Sequence, residues 1–256
     1  MTKEPLGKLT KIPTREWNLH WRDFNSSAHI NPAQAYLRQL VIKAIAEGLN
    51  DRIADLGCGQ GDLLWSLRQE LAHAQFLGVD ASDIALHISK SKLSDLNVCQ
   101  ANIDSEASPP QQWLGWADTV TCTEVLEHLD HPERAVLFAK HLLKSGGRLI
   151  VTVPSGPVSA FDKHLGHRKH YSIHDLRHLL ETAGFKQIEV KGSGFPFFNV
   201  YRLVVVARGQ QVIADAAALK VNWRARIAMF LFSVLFKLNC RNGQWGWQLI
   251  ATATRS

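Results

Sequence analysis

Arg52-Ile53-Ala54-Asp55-Leu56-Gly57-Cys58-Gly59-Gln60-Gly61-Asp62 is the stretch whose reading decides the fold. A short apolar run enters three alternating glycines, and Leu63, Leu64, Leu67 and Leu71 then recur at helical spacing. Glycine lets a chain turn sharply and lets its backbone approach a ligand closely. The N-terminus of the following helix offers N–H groups that lack intrahelical partners. The spacing Gly-x-Gly-x-Gly differs from the Gly-x-Gly-x-x-Gly of dinucleotide folds, and no Gly-Lys-Ser/Thr of a phosphate loop is present. A second acid, Asp80, closes the next apolar run, Phe76-Leu77-Gly78-Val79. It stands about 20 residues on, where a βαβ unit places the carboxylate that binds a ribose.

Taken together, Asp55-Leu56-Gly57-Cys58-Gly59-Gln60-Gly61 and Asp80 resemble motif I and the ribose-binding acid of class I S-adenosylmethionine-dependent methyltransferases. The resemblance runs from about Asn31 to Gly192, with a final strand near the C-terminus. It implies a Rossmann-like, doubly wound α/β sheet of seven strands with the last antiparallel, and methyl transfer from a sulfonium donor. It also implies a cofactor-binding set of Asp55, Gly57, Cys58, Gly59, Gly61, Asp80, Asn102, Ile103, Asp104 and Thr123. The family places an acid or amide against the adenine amino group after the third strand, and Asn102 and Asp104 both qualify.

The rest of the chain fits that frame. Asn31-Pro32 starts a helix with a capping side chain and proline at its first position, and Tyr36, Leu37, Leu40, Val41, Ala44 and Ile45 repeat at its period. Strands are expected at 52–56, 75–79, 97–101, 118–122, 148–154 and 185–191, with helices between them, an alternation that argues for a parallel sheet. Ser145-Gly146-Gly147 reads as a tight turn, and Ser172-x-x-Asp175 as a capping box. Trp245 to Thr254 alternates as a closing strand.

Two segments lie outside that minimal fold. Residues 1–30 hold Trp17, Trp21 and Phe24 and read as a lid over the acceptor pocket. Residues 195–240 carry two apolar segments of helical character and read as a cap inserted between the last two strands. Residues 31–194 and 241–256 then form the donor-binding domain. The two apolar segments fall short of the roughly 20 residues that span a bilayer. Arg224, Arg226, Lys237 and Arg241 flank the second, as expected of an element that lies on an anionic membrane surface. Packing on the core, or a homodimer contact, is the alternative.

At 256 residues and 46% hydrophobic, the chain suffices for one large domain with an elaboration. The net charge is +6. From Arg202 onward there are eight cations and one acid, so the basic character belongs to the C-terminal segment. The first residues carry no apolar run of a signal peptide, and Cys58, Cys99, Cys122 and Cys240 show no metal spacing. A cytoplasmic protein, peripheral at the inner face of a membrane, is the expectation.

Glu124, Glu127 and His128 follow the fourth strand at i, i+3 and i+4, and share one face if a helix starts there. Two carboxylates and an imidazole make a divalent-metal site or a general-base site. The string Glu-Val-Leu-Glu-His is similar to that of the O-methyltransferases of ubiquinone biosynthesis and of the small-RNA 3′-end methyltransferases. That resemblance implies Mg²⁺ or a similar ion held by Glu124, Glu127, His128 and a later histidine, matched by His167. Without a metal, His128 is the base, with Glu124 and His167 beside it. Trp17, Trp21, Arg168 and Tyr171 are the candidate acceptor contacts. O-methylation of a small, lipophilic or anionic molecule is the main expectation. A ribose 2′-O RNA methyltransferase and a donor-binding protein without catalysis are the rivals, and no recognisable RNA-binding module supports the first.

Overall fold

The computed structural model describes residues 18, 31–209, 211, 223–240 and 243–256. Trp17, Trp21 and Phe24 lie outside the described residues, as does all of the 1–30 segment except Asn18. Seven strands form one sheet: β1 (Arg52–Leu56), β2 (Gln75–Asp80), β3 (Asn97–Gln100), β4 (Ala117–Thr123), β5 (Leu143–Pro154), β6 (Phe185–Ser193) and β7 (Gln248–Arg255). Their order is β3-β2-β1-β4-β5-β7-β6. β7 runs antiparallel to both β5 and β6, and the other pairings are parallel. The strand order reverses between β1 and β4, which places the ligand crevice at the carboxyl ends of those strands.

Helices cover both faces. α1 (Pro32–Ala46), α2 (Asp62–Glu70) and α3 (Asp83–Lys92) bury Ile45, Leu64, Leu67 and Leu86 against Ile53, Phe76 and Ile150. α4 (Pro132–Leu142) and α6 (Ile173–Thr182) bury Phe138, Leu142, Leu176 and Leu180 against Ala54, Leu56, Leu77 and Val151 on the other face. Ile53 and Ala54 therefore serve opposite faces, as the two-residue period of a strand requires. The helix starts follow their caps. Asn31 accepts from the Ala33 N–H, and Ser172 with Asp175 closes a reciprocal capping box.

Two local expectations are corrected. Ser145-Gly146-Gly147 is not a turn before the strand but part of β5, with Gly146 at φ 74° where the register against β4 shifts. The Leu126–His128 segment is a single 3₁₀ turn, and Glu124 precedes it at φ 54°, so no α-helix carries Glu124, Glu127 and His128.

A short helix, α5 (Ala160–His164), was not foreseen. The insertion forms α7 (Phe197–Arg208) and α8 (Trp223–Leu235), followed by a 3₁₀ turn at Phe236–Leu238. Phe198, Phe232, Phe236 and Tyr201 cluster with Tyr36 and Ala33 of α1. The Tyr36 and Ser193 hydroxyls share a hydrogen bond of 2.7 Å that ties α1 to the end of β6.

Candidate donor and acceptor site

The glycine loop takes the backbone shape that its sequence demands. Gly57, Gly59 and Gly61 have φ of 69°, 50° and 77°, a region side chains rarely adopt. A Cβ at Gly57 would lie 2.5 Å from Val125, and one at Gly61 would lie 2.7 Å from Ser89. The N–H groups of Gly57 and Cys58 both donate to the Val79 carbonyl, which fixes the loop beside the end of β2. Asp80 follows there. Its Oδ2 accepts the Gly59 N–H at 2.9 Å and its Oδ1 accepts the Ser82 N–H at 2.8 Å. Those two bonds hold the carboxylate at the crevice with lone pairs left for a diol.

The crevice holds buried acids. Asp55 is buried, and burial pushes its carboxyl up to about 7 although the Thr121 hydroxyl donates to it at 2.7 Å. Burial raises Asp80 as well. Cys58 is buried, and desolvation lifts its thiol well above the usual range, so it lines the loop as an apolar group. Desolvated carboxylates gain most from a neighbouring positive charge, which is what a sulfonium and an ammonium offer.

After β3, Asp104 is engaged. Its carboxylate accepts the N–H groups of Asp130 and His131, and its own N–H bonds to Asn102 Oδ1. Asn102 is exposed and Ile103 buried beneath it. Asp104 thus fastens the loop beyond His128. Thr123 ends β4, paired in register with Thr152.

Glu124 is not in the cluster that Glu127 forms with the histidines. Glu124 turns towards the sheet, where its Oε1 accepts from Thr152 Oγ1 at 3.0 Å and from Gln248 Nε2 at 2.7 Å. Burial raises its carboxyl to about 7. Glu127, His128 and His167 do come together: one ligand atom from each lies within 4.8 Å of the other two. Glu127 is fully buried, and neither of its oxygens has a hydrogen-bond partner among the described residues. Burial first, and the charge of Glu124 second, push that carboxyl well up. The rings of His128 and His167 meet edge to face at 4.7 Å. Burial holds His167 down at about 4, so it is neutral at pH 7.

A buried carboxylate that has no hydrogen bond among the described residues and lies 4.0 Å from His128 Nε2 fits a cation beside the two imidazoles. With Glu124 turned away, the set is one oxygen and two nitrogen donors, a choice that suits Zn²⁺, Fe²⁺ or Mn²⁺ better than the oxygen-rich sphere of Mg²⁺.

Arg168 and Tyr171 are placed otherwise than as open acceptor contacts. The Arg168 backbone N–H donates to Glu127 O at 2.7 Å and its Nε to His128 O at 2.8 Å, while its guanidinium meets Asp130. It braces the turn that carries Glu127 and His128. Tyr171 is 2% exposed and donates to the Leu126 carbonyl. Sequence reasoning passed over Asp162, Arg202 and Gln248, and it read His170 with His164, His174 and His178 as mostly solvent-facing histidines of one basic stretch, whereas the His170 side chain is buried. The one signal for Asp162 was Ser159-x-x-Asp162, the same capping pattern that marked Ser172 and Asp175.

A methyltransferase-domain family model matches residues 30–190, more than half of the chain. The chain belongs to the S-adenosylmethionine-dependent methyltransferase family. Its relatives include the ubiquinone biosynthesis O-methyltransferase of Nitrosomonas europaea, 30% identical over 207 residues, a match covering 72% of this chain and 85% of that protein. The protein of the same name in Pectobacterium carotovorum is 33% identical over 150 residues, 57% of this chain and 59% of the relative, so this chain spans less than two thirds of that protein. Among solved structures, a methyltransferase of Thermotoga maritima superposes with a TM-score of 0.58 at 18% identity, covering 96% of this chain and 98% of that one. A phosphoethanolamine N-methyltransferase of Haemonchus contortus, solved with S-adenosylmethionine, superposes with a TM-score of 0.54 at 16% identity over 92% of this chain and 60% of its own. Those two likenesses speak for the fold alone.

Proposed function

We propose that this methyltransferase transfers a methyl group from S-adenosylmethionine to a hydroxyl oxygen of a small, lipophilic acceptor. The observation that carries the reading is the pairing of two sites. The Asp80 carboxylate, held by the Gly59 N–H, fits the donor's ribose diol, and the Glu127–His128–His167 group draws its first two residues from the turn after β4 and His167 from the segment after β5 and α5. The donor supplies an electrophilic methyl on a positive sulfur. The protein's part is position and charge. Asp55 and Asp80 balance the donor's positive charge, and the glycine loop admits its backbone-facing end. His128 or His167 takes the acceptor's hydroxyl proton. If a divalent ion is held, Glu127, His128 and His167 hold it, and it would lower the pKa of a bound hydroxyl.

Loss of the ribose contact is the first test. Asp80→Ala should weaken S-adenosylmethionine binding by roughly 1.5–3 kcal/mol, the worth of hydrogen bonds to a charged group, or about 10–150-fold in Kd. Calorimetry that gave the two proteins one affinity would reject this placement of the donor. Transfer of labelled methyl to a catechol or another hydroxylated lipophile, absent with an amine of the same skeleton, would establish oxygen as the atom methylated.

The insertion supports a lipophilic acceptor met at a membrane surface. Trp223, Ile227, Phe230, Leu231, Val234 and Leu238 form one outward stripe of α8 and the turn after it, and Phe230 and Leu238 are two-thirds exposed. The inner side of α8 packs Phe232 on Tyr201. Val200, Leu203 and Val204 extend the apolar surface on α7, with Arg226 and Lys237 exposed beside it. No helix among the described residues is long and apolar enough to cross a membrane, so contact would lie in the interfacial plane. The protein should float with vesicles containing phosphatidylglycerol, less so as salt rises, and Phe230→Glu should abolish flotation while leaving the fold intact. Absence of binding at low salt, with a dimer seen by light scattering that Phe230→Glu splits, would assign the stripe to self-association instead.

At the other rim, Asn18 bonds the Ser82 hydroxyl and the Asp83 carboxylate, two and three residues beyond Asp80. This contact ties Asn18 to the start of α3, beside Asp80.

A further inference from the structure

We infer that His170 is a positioning residue that dictates the tautomer of His167. The argument is a chain of hydrogen bonds with one fixed end. His170 Nδ1 lies 3.0 Å from the Gly156 carbonyl oxygen. A carbonyl only accepts, so the hydrogen is on Nδ1. In a neutral imidazole the other nitrogen then bears the lone pair, and His170 Nε2 faces His167 Nδ1 at 3.3 Å. His167 must therefore donate from Nδ1, and its own lone pair is left on Nε2. That is the reverse of the form neutral histidine favours in water. Nε2, the nitrogen turned away from His170, becomes the one atom of the ring that can take a proton or bind a cation.

The Asp162 carboxylate does not compete with His167 for His170 Nε2. Asp162 Oδ2 is 3.8 Å from His170 Nε2, beyond hydrogen-bond reach. The Asp162 carboxylate is already taken by both arms of Arg202, at 2.9 and 2.7 Å, and by the Ser159 N–H at 2.7 Å. Asp162, His167 and His170 also place ligand atoms within 4.8 Å of one another, but the Arg202 guanidinium would repel a metal ion there. The His170 side chain is 4% exposed. Burial lowers its basicity, against the Gly156 carbonyl and the Asp162 carboxylate, which raise it.

This inference rests on reading Glu127, His128 and His167 as the reacting group, but its readout does not depend on catalysis. In protein labelled with ¹⁵N-histidine, two-bond proton–nitrogen correlation at neutral pH should show His167 protonated on Nδ1 and bare on Nε2, the signal being assigned by its loss in His167→Gln. His170→Phe should turn His167 towards the Nε2–H form. His170→Gln, whose amide oxygen replaces the lone pair of Nε2, should restore the Nδ1–H form. A wild-type His167 protonated on Nε2 overturns the inference without any variant. So does a tautomer unmoved in His170→Phe. If methyl transfer is then assayed, His170→Phe should lower kcat by about 10–100-fold, as for residues that orient ligand histidines, with the donor's KM unchanged. A chain that bound the donor but transferred nothing would refute the functional reading and leave the tautomer standing.

Discussion

Turnover in His128→Ala should fall by about 10²–10⁴-fold, the range a positioned acid or base contributes, while the donor still binds with native affinity. The separation is expected because the two sites share no residue. The donor contacts proposed above come from the loop after β1 and from Asp80 at the end of β2, and His128 sits on the 3₁₀ turn after β4. A chelator then decides what His128 does. Activity lost on chelation and restored by Zn²⁺ or Mn²⁺ makes it a ligand with Glu127 and His167. Activity indifferent to chelation makes it the base. In the first case Glu127→Gln should be as damaging as His128→Ala, because Glu127 is the one carboxylate of the group. Retention of more than about a tenth of turnover in His128→Ala would remove this residue from the chemistry altogether.

How far the sequence carried the fold is clear from which interactions are local. The glycine loop, Asp80, the starts of β1, β2, β3 and β6 and the caps at Asn31 and Ser172 are each written in a few adjacent residues, and the structure has them. The acceptor side is different. Glu124 looked like a partner of Glu127 because spacing alone was visible. Its left-handed φ and its bonds to Thr152 and Gln248, the latter 124 positions away, are properties of the assembled sheet. Arg168 and Tyr171 were singled out as polar groups near a crevice. Only packing shows that the first braces the Glu127–His128 turn and the second lies in the core. His170 stood among several histidines of one basic loop, and nothing in the string distinguishes the one whose Nδ1 meets the Gly156 carbonyl. A non-glycine residue with positive φ at Glu124, next to the candidate site, is the kind of backbone outlier that functional sites hold.

Asp162→Ala should destabilise the folded protein by about 3–5 kcal/mol, the cost of leaving one member of a buried pair without its partner. The Asp162 side chain is 1% exposed and that of Arg202 13%, and their contact is bidentate. Replacing both, as Asp162→Asn with Arg202→Met, should recover much of the loss, since no unpaired charge then remains in the interior. Urea unfolding of the two single variants and the double variant measures the coupling, and costs that simply add would show that the pair does not act as a unit. The pH dependence has a definite sign. Burial alone would raise the Asp162 carboxyl, but Arg202 and the Ser159 N–H outweigh it and hold it at about 2, below its ordinary 3.8. A depressed carboxyl stabilises the fold above its unfolded pKa. The contribution of this pair should therefore be full above about pH 4 and fade towards pH 2, and the Asp162→Asn variant should lack that decline. Arg202 lies on α7, whose outer side carries Val200, Leu203 and Val204, and Asp162 opens the loop that carries His167 and His170. The ion pair is thus the joint between α7 and the segment that carries His167 and His170. Arg202→Met should disturb the His167 resonances of the preceding section even where the cap itself remains folded.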